Sequence, residues 1–206
     1  MSEEYNPDIH HRHSIRYKNY DYSQAGAYFV TLCVLGKECL LGKIDDGEMQ
    51  LNALGEIVRD EWLRTEVVRP YVLLDAFVVM PNHFHGIIVL TTDRARMRVA
   101  STMDVPLSVE QLAQGRPSAY VPGPVQDGPR GAASGSLGAI IGQFKSITAK
   151  RINLLGGTPG RSVWQRDYYE RIIRNEREMN GIRQYIAYNP AHWSEDDNNP
   201  ENVVSC

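Results

Sequence analysis

With 206 residues, 42% hydrophobic and 23% charged, the chain has room for one compact domain and an excursion from it, not for a second domain of full size. Nowhere do about 18 uncharged apolar residues run together to span a bilayer, and the opening MSEEYNPDIHHRH lacks the apolar centre of a secretory signal, so a cytoplasmic protein with no membrane partner is expected. The formal net charge of −3 speaks against an all-round nucleic-acid coat, but it hides an asymmetry: residues 137–184 carry nine Lys and Arg against four Asp and Glu, while acidic residues collect in 38–75 and after Trp193.

Residues 1–22 read as a basic N-terminal arm, in which His10, His11 and His13 suit a solvated segment better than a metal site. The first strand is expected over 27–36 (AYFVTLCVLG), and it should be central because both its faces are apolar. Cys33 within it reads as core filling. Cys33, Cys39 and Cys206 fall in no CxxC or Cys/His spacing, so neither a disulfide framework nor a structural zinc is indicated. A hairpin follows, with 40–44 and 49–51 joined across Asp46-Gly47, a dipeptide that accepts the positive φ of a tight turn. Asn52 then has the character of an N-cap for a helix reaching about Thr65, with Leu54, Ile57, Val58 and Trp62 on one face.

Strands over 73–80 (LLDAFVVM) and 85–90 (HGIIVL) lie so close across Pro81-Asn82 that they must be antiparallel neighbours. Residues 93–136 are rich in Gly, Pro, Ser and Ala and without period, which predicts a flexible insertion. A helix over 136–154 would turn Ile140, Ile141, Phe144 and Ile147 to the core; YYERIIR (168–174) reads as a strand, and 175–189 as a last helix that starts on an Asn cap and stops at Pro190. The order predicts an α+β domain over 23–193, a ferredoxin-like, mostly antiparallel sheet with helices on one face, followed by an acidic tail over 194–206.

Two groups of residues carry chemistry. His83 and His85 are spaced i, i+2 and share one face of a strand, which is the geometry of paired metal ligands; two half-exposed strand histidines is the plainer alternative. They stand at the mouth of the most apolar segment of the chain, where bulk packing would choose neither. On the last helix Tyr185 and Asn189 are i, i+4 and stack on one face. The Asn189 amide oxygen could complete a mixed histidine-oxygen site for a divalent metal, Mg²⁺ or Mn²⁺. Met179, Ile182, Tyr185 and Ile186 equally form an ordinary core stripe, and Tyr168, Tyr169 and Tyr188 are competing hydroxyls, so periodicity does not choose among the tyrosines.

The segments VVMPNHFHGIIVL (78–90) and VWQRDYYERIIRNEREMNGIRQYIAYNPAHW (163–193) resemble the HUH single-tyrosine transposases of the IS200-like superfamily, specifically the REP-associated tyrosine transposase branch. The likeness spans roughly 28–90 and 137–193 and leaves the insertion uncovered. Its His-hydrophobic-His triplet falls on His83, Phe84 and His85, and its Y-I-x-x-N-P helix end on Tyr185, Ile186, Ala187, Tyr188, Asn189 and Pro190. The resemblance implies that Tyr185 is the nucleophile and Asn189 the third metal ligand. It further implies an endonuclease and strand transferase that cuts single-stranded or hairpin DNA, leaving a 5′-phosphotyrosine and a free 3′-OH that can be rejoined without ATP.

Phosphate contacts are expected from Lys145, Lys150, Arg151, Arg166 and Arg174, with base stacking from Trp164, Tyr168 and Tyr169, whereas Phe144 should be core. The chain would act as a monomer or homodimer. Two other readings stay open on the sequence alone. A non-catalytic binder of structured nucleic acid needs the basic residues but not Tyr185, and a small metal-dependent hydrolase needs the histidines but not Tyr185.

Overall fold

The computed structural model describes residues 22–91 and 132–202. The N-terminal arm but for Tyr22, most of the insertion and the last four residues of the expected tail fall outside them, and with them His10, His11 and His13. The elements in chain order are β1 (Gly26–Cys33), β2 (Gly42–Asp45), β3 (Glu48–Leu51), α1 (Ala53–Val67), β4 (Val72–Val79), β5 (His83–Leu90), α2 (Leu137–Gly156), β6 (Tyr169–Ile173) and α3 (Glu176–Tyr188), with short 3₁₀ turns at Leu35–Lys37, Pro190–Glu195 and Pro200–Asn202. Among the described residues no helix is long and apolar enough to cross a membrane.

Four strands form one antiparallel sheet in the order β4-β5-β1-β6, so the two most apolar strands, β1 and β5, lie in its middle as their composition demands. The β2-β3 hairpin stands apart as a two-stranded ribbon. Its turn places Asp46 and Gly47 at φ 49° and 76°, the left-handed pair that the Asp-Gly dipeptide favours. Asn52 caps α1 by accepting from the Leu54 and Gly55 amides at 2.9 and 3.0 Å, and Asn175 caps α3 by accepting from Glu178.

The sheet has two unlike faces. Alternate residues Tyr28, Val30 and Leu32 of β1 and Phe84, Ile88 and Leu90 of β5 pack against α1 and α2, through Val58, Trp62, Ile140, Ile141 and Phe144, into the larger core. The intervening residues Ala27, Phe29, Ile87 and Val89 meet Met179 and Ile186 of α3 in a second, smaller core. The α+β architecture on an antiparallel sheet is as expected, but its helices are not confined to one face. The last helix lies on the other side, where only Met179 and Ile186 of α3 are fully buried. Ile147, expected in the core, is exposed at 37%, and Thr148 takes the inward place one residue on, donating to the Phe144 carbonyl and accepting from Trp164 Nε1.

β4 carries a register shift between Leu74 and Phe77. The irregularity falls at Asp75, whose carboxylate accepts from the Ala76 amide and lies against α3.

Candidate active site

Strict alternation along β5 sorts the His-Phe-His triplet by face. Phe84 enters the large core, 4.6 Å from the Trp62 ring and 5.8 Å from that of Phe144, with no exposure. His83 and His85 therefore point the other way, to the face that α3 covers, with ring centroids 4.6 Å apart. Both are buried, His83 completely. The apolar residue between the histidines is an anchor that fixes where the imidazoles face.

Hydrogen bonds to the outer nitrogens fix the rings. Asn82 Nδ2 donates to the carbonyls of Lys37 and Asn198 at 2.9 and 2.7 Å, which settles the orientation of that amide and turns its oxygen to His83 Nδ1 at 2.9 Å. His83 Nδ1 thus bears the proton and donates. His85 Nδ1 is hydrogen-bonded to Thr31 Oγ1 at 2.8 Å, from the register partner of His85 on β1. Burial pushes His83 down to about 4, against the upward pull of the Asp196 carboxylate. Burial and the neighbouring His83 hold His85 well below the usual histidine value. Burial thus favours the neutral imidazole in both rings, the form in which histidine binds a metal.

The helix α3 lays Tyr185 over the pair. Its hydroxyl reaches His85 Nε2 at 3.2 Å, and its ring meets His85 and Phe29 edge-on with centroids 5.1 and 6.1 Å away. Tyr185 is 48% exposed, so it is not a core residue; Met179 and Ile186 fill the core from the same helix. Burial of part of the ring, then the Asp196 charge, raise its phenol above the ordinary value of 10. Tyr169 stacks edge-on with Phe29, 6.2 Å away, and Tyr188 is largely exposed.

Asn189 sits at the C-cap of α3, buried, and its side-chain oxygen has no hydrogen-bond partner; neither has His83 Nε2. One further group, unmarked in the sequence, joins them. Asp196, in the stretch expected to be an acidic tail, brings its carboxylate to 3.7 Å from His83 Nε2. His83, His85 and Asp196 each offer one ligand atom, and these atoms lie within 4.8 Å of one another. Orphaned acceptors gathered in a buried place cost several kcal/mol without a donor or a cation between them, on the order of 1 to 3 for each group. The donor set fits a divalent metal ion, which would satisfy the free His83 and Asn189 atoms together.

The expected phosphate-binding residues are dispersed. Lys145 Nζ donates to the carbonyls of Gln165 and Arg166 at 2.6 and 2.8 Å, and burial lowers its pKa; it clamps the segment leading into β6. Arg151 is paired with buried Glu61, tying α2 to α1 on the face away from the histidines. Lys150 is exposed on that helix, and Arg174 lies beyond the far end of β6. Arg166 is exposed on the connection that pairs with the histidine end of β1, through the Val34–Trp164 bridge and the Gln165 to Cys33 hydrogen bond. Phe144 is core as expected, Trp164 is buried as well, and Tyr168 packs partly against the core. Cys33 is half-buried at the same end of β1.

A two-faced antiparallel sheet that holds paired imidazoles beside a helix-borne phenol defines a site able to take a metal ion next to a tyrosine. The chain belongs to the same family as a Haemophilus influenzae protein described as uncharacterized, to which it is 37% identical over 200 residues, 95% of this chain and 97% of that one. No family model matches. Among solved structures, that of a REP-associated tyrosine transposase bound to a REP hairpin is similar, with a TM-score of 0.49 and 18% identity over 85% of this chain and 72% of that one.

Proposed function

We propose that this protein is a metal-dependent DNA strand transferase, which cleaves and rejoins single-stranded or hairpin DNA through a covalent bond to Tyr185. The observation that carries the reading is the 3.2 Å approach of the Tyr185 hydroxyl to His85, across 100 residues of sequence and within one chain. A binder of folded nucleic acid has no use for a half-exposed phenol placed on a buried histidine pair.

His83, His85 and Asn189 would hold the ion, with Mg²⁺ or Mn²⁺ the expected species for imidazoles mixed with oxygen donors. Bound there, a divalent cation would polarise a phosphodiester, offset charge in the transition state and favour the phenolate over the phenol. Tyr185 then forms a bond from its oxygen to phosphorus as the bond to the 3′ oxygen breaks. The phenol gives up its proton, and the 3′ oxygen takes one up to leave as a free 3′-OH. The phosphotyrosine conserves the bond, so a second 3′-OH can displace the tyrosine and join strands. Asn82 holds the His83 imidazole in the tautomer that leaves Nε2 free for the ion, and Thr31 orients the His85 ring. DNA must arrive unpaired, since a duplex would keep its backbone from a centre sunk in the sheet. Exposed Lys150, Arg166 and Arg174 are proposed phosphate contacts, whereas Lys145 and Arg151 act first as internal ties.

The test is incubation of the purified protein with a single-stranded DNA hairpin and Mn²⁺, read by denaturing gel and mass spectrometry. A covalent protein–DNA adduct that disappears in Tyr185→Phe is the expected result. Water-terminated products that persist in Tyr185→Phe would replace the reading with hydrolysis, and hairpin binding with no cleavage would replace it with recognition alone.

A further inference from the structure

The chain does not leave the site at Asn189. Pro190–Glu195 makes a 3₁₀ turn that sets the Trp193 ring 6.0 Å from that of His83, nearly parallel to it, and the backbone then folds across the histidine end of the sheet. Two ties from elsewhere in the fold hold it there. Lys37 Nζ donates to the Asp197 carbonyl at 2.8 Å, and Asn82 Nδ2 donates to the Asn198 carbonyl at 2.7 Å. Asn82 therefore grips this segment with its nitrogen and orients His83 with its oxygen.

The segment carries Asp196 inward, with its side chain only 9% exposed. One carboxylate oxygen accepts from the Asn198 amide at 2.6 Å, which fixes the carboxylate. The other stands 3.7 Å from His83 Nε2, too far for a hydrogen bond, and that nitrogen has no other partner. A histidine meant to pair with a carboxylate would close that gap to about 2.8 Å and share a proton across it. Here the gap is left open, the ligand atoms of His83, His85 and Asp196 lie within 4.8 Å of one another, and the buried Asn189 oxygen has no hydrogen-bond partner either. Such a stand-off between groups that can only accept suits a shared cation better than a shared proton.

Resting on the reading of His83 and His85 as a metal centre, we propose that Asp196 is a further ligand of that centre, delivered by the segment that follows the tyrosine helix. The ion it takes is a divalent cation with an appetite for oxygen. Two imidazoles and an amide are neutral, so without Asp196 the ion keeps its whole double charge; the carboxylate removes one unit and tightens the hold on the ion. Metal affinity is thereby coupled to a part of the chain that neither motif includes.

Mn²⁺ titrated into the full-length protein, followed by calorimetry and by loss of the free-ion EPR signal, tests the assignment without DNA or turnover. Wild-type protein is expected to bind one ion, His83→Ala none, and Asp196→Ala about tenfold more weakly or worse. The exposed neighbour change Glu195→Gln should bind as wild type does. Asp196→Asn keeps an acceptor for the Asn198 amide while removing the charge, and it carries the test if thermal melts show Asp196→Ala to be poorly folded; several-fold weaker binding is expected. Wild-type affinity in a folded Asp196 variant, with His83→Ala unable to bind, overturns the role of Asp196 and leaves the metal centre standing. No Mn²⁺ bound by the wild-type chain overturns the metal centre and Asp196 together.

Discussion

Arg183 of α3 donates to both carboxylate oxygens of Asp75 on β4, at 2.8 and 2.6 Å, two residues before the tyrosine that the same helix lays on His85. It also donates to Glu176 and Asn180 of its own helix. The fork fixes the rotation of α3 about its axis, which the two buried apolar residues of that helix could not do alone. Arg183→Met is expected to cost about 1 to 2 kcal/mol of stability, since the pair is only partly screened. It should also lower the yield of DNA adduct while sparing Mn²⁺ affinity. An adduct yield equal to wild type would show that the helix is held by packing.

The same pair sets an acid limit. Burial alone would raise the Asp75 carboxyl, but the hydrogen bond and charge of Arg183 prevail and hold it below its ordinary value of 3.8. A carboxyl depressed in the folded state contributes stability that is present above its unfolded pKa and is lost as pH falls through the folded one. Melting temperature should therefore drop below about pH 4 less steeply in Asp75→Asn than in wild type, on an Asn background that is less stable at pH 7. Parallel melting curves over pH 3 to 7 would remove Asp75 from the acid response.

Tyr185→Phe should leave the fold in place. The ring is half-exposed and its hydroxyl reaches His85 at the edge of the site, so stability is expected within about 0.5 kcal/mol of wild type by thermal denaturation. Loss of the adduct together with an unchanged melting curve separates chemistry from structure; early melting would leave the loss of activity without that meaning.

Asn82 has no contact with DNA in this reading, yet Asn82→Ala should weaken Mn²⁺ binding about 10- to 100-fold, because it frees the His83 ring and releases the Asn198 segment in one step. Calorimetry on the folded variant checks this. Thr31→Val, which frees only the His85 ring, should show a smaller loss, and the reverse order would contradict the hydrogen-bond pattern.

Phe84→Ala removes a side chain with no exposure from between Trp62, Phe77 and Phe144. The cost is expected at about 3 to 5 kcal/mol, read by chemical denaturation. A small change there would mean that the strand's facing is set elsewhere.

What could be read from the sequence was whatever depends on near neighbours. The i, i+2 histidines, the Asn caps at 52 and 175, the Asp-Gly turn and the i, i+4 relation of Tyr185 to Asn189 are all local, and each stands where its spacing puts it. The facing of α3 was not legible, because a two-residue apolar stripe satisfies either side of a sheet. Ile147 misled for a related reason: hydrophobicity marks a candidate for burial, but the turn of the helix gave the place to Thr148, whose hydroxyl finds partners there. Asp196 was invisible, since one aspartate in SEDDNNPEN looks like another until the chain folds across β5. The basic residues were counted correctly and placed poorly, as charge totals do not say which side chains are spent on carbonyls within the protein.

Gly86 follows the second histidine, and a methyl group built on it would lie 2.7 Å from the Trp62 indole and 2.8 Å from the Phe84 ring. The indole occupies the room that any larger residue would claim, and the strand could admit one only by rising off α1. Such a lift would tilt the neighbouring imidazole away from the phenol. The signature to seek is therefore one letter longer than the histidine triplet, and a chain that keeps the histidines while replacing this glycine is expected to have lost the approach of phenol to imidazole.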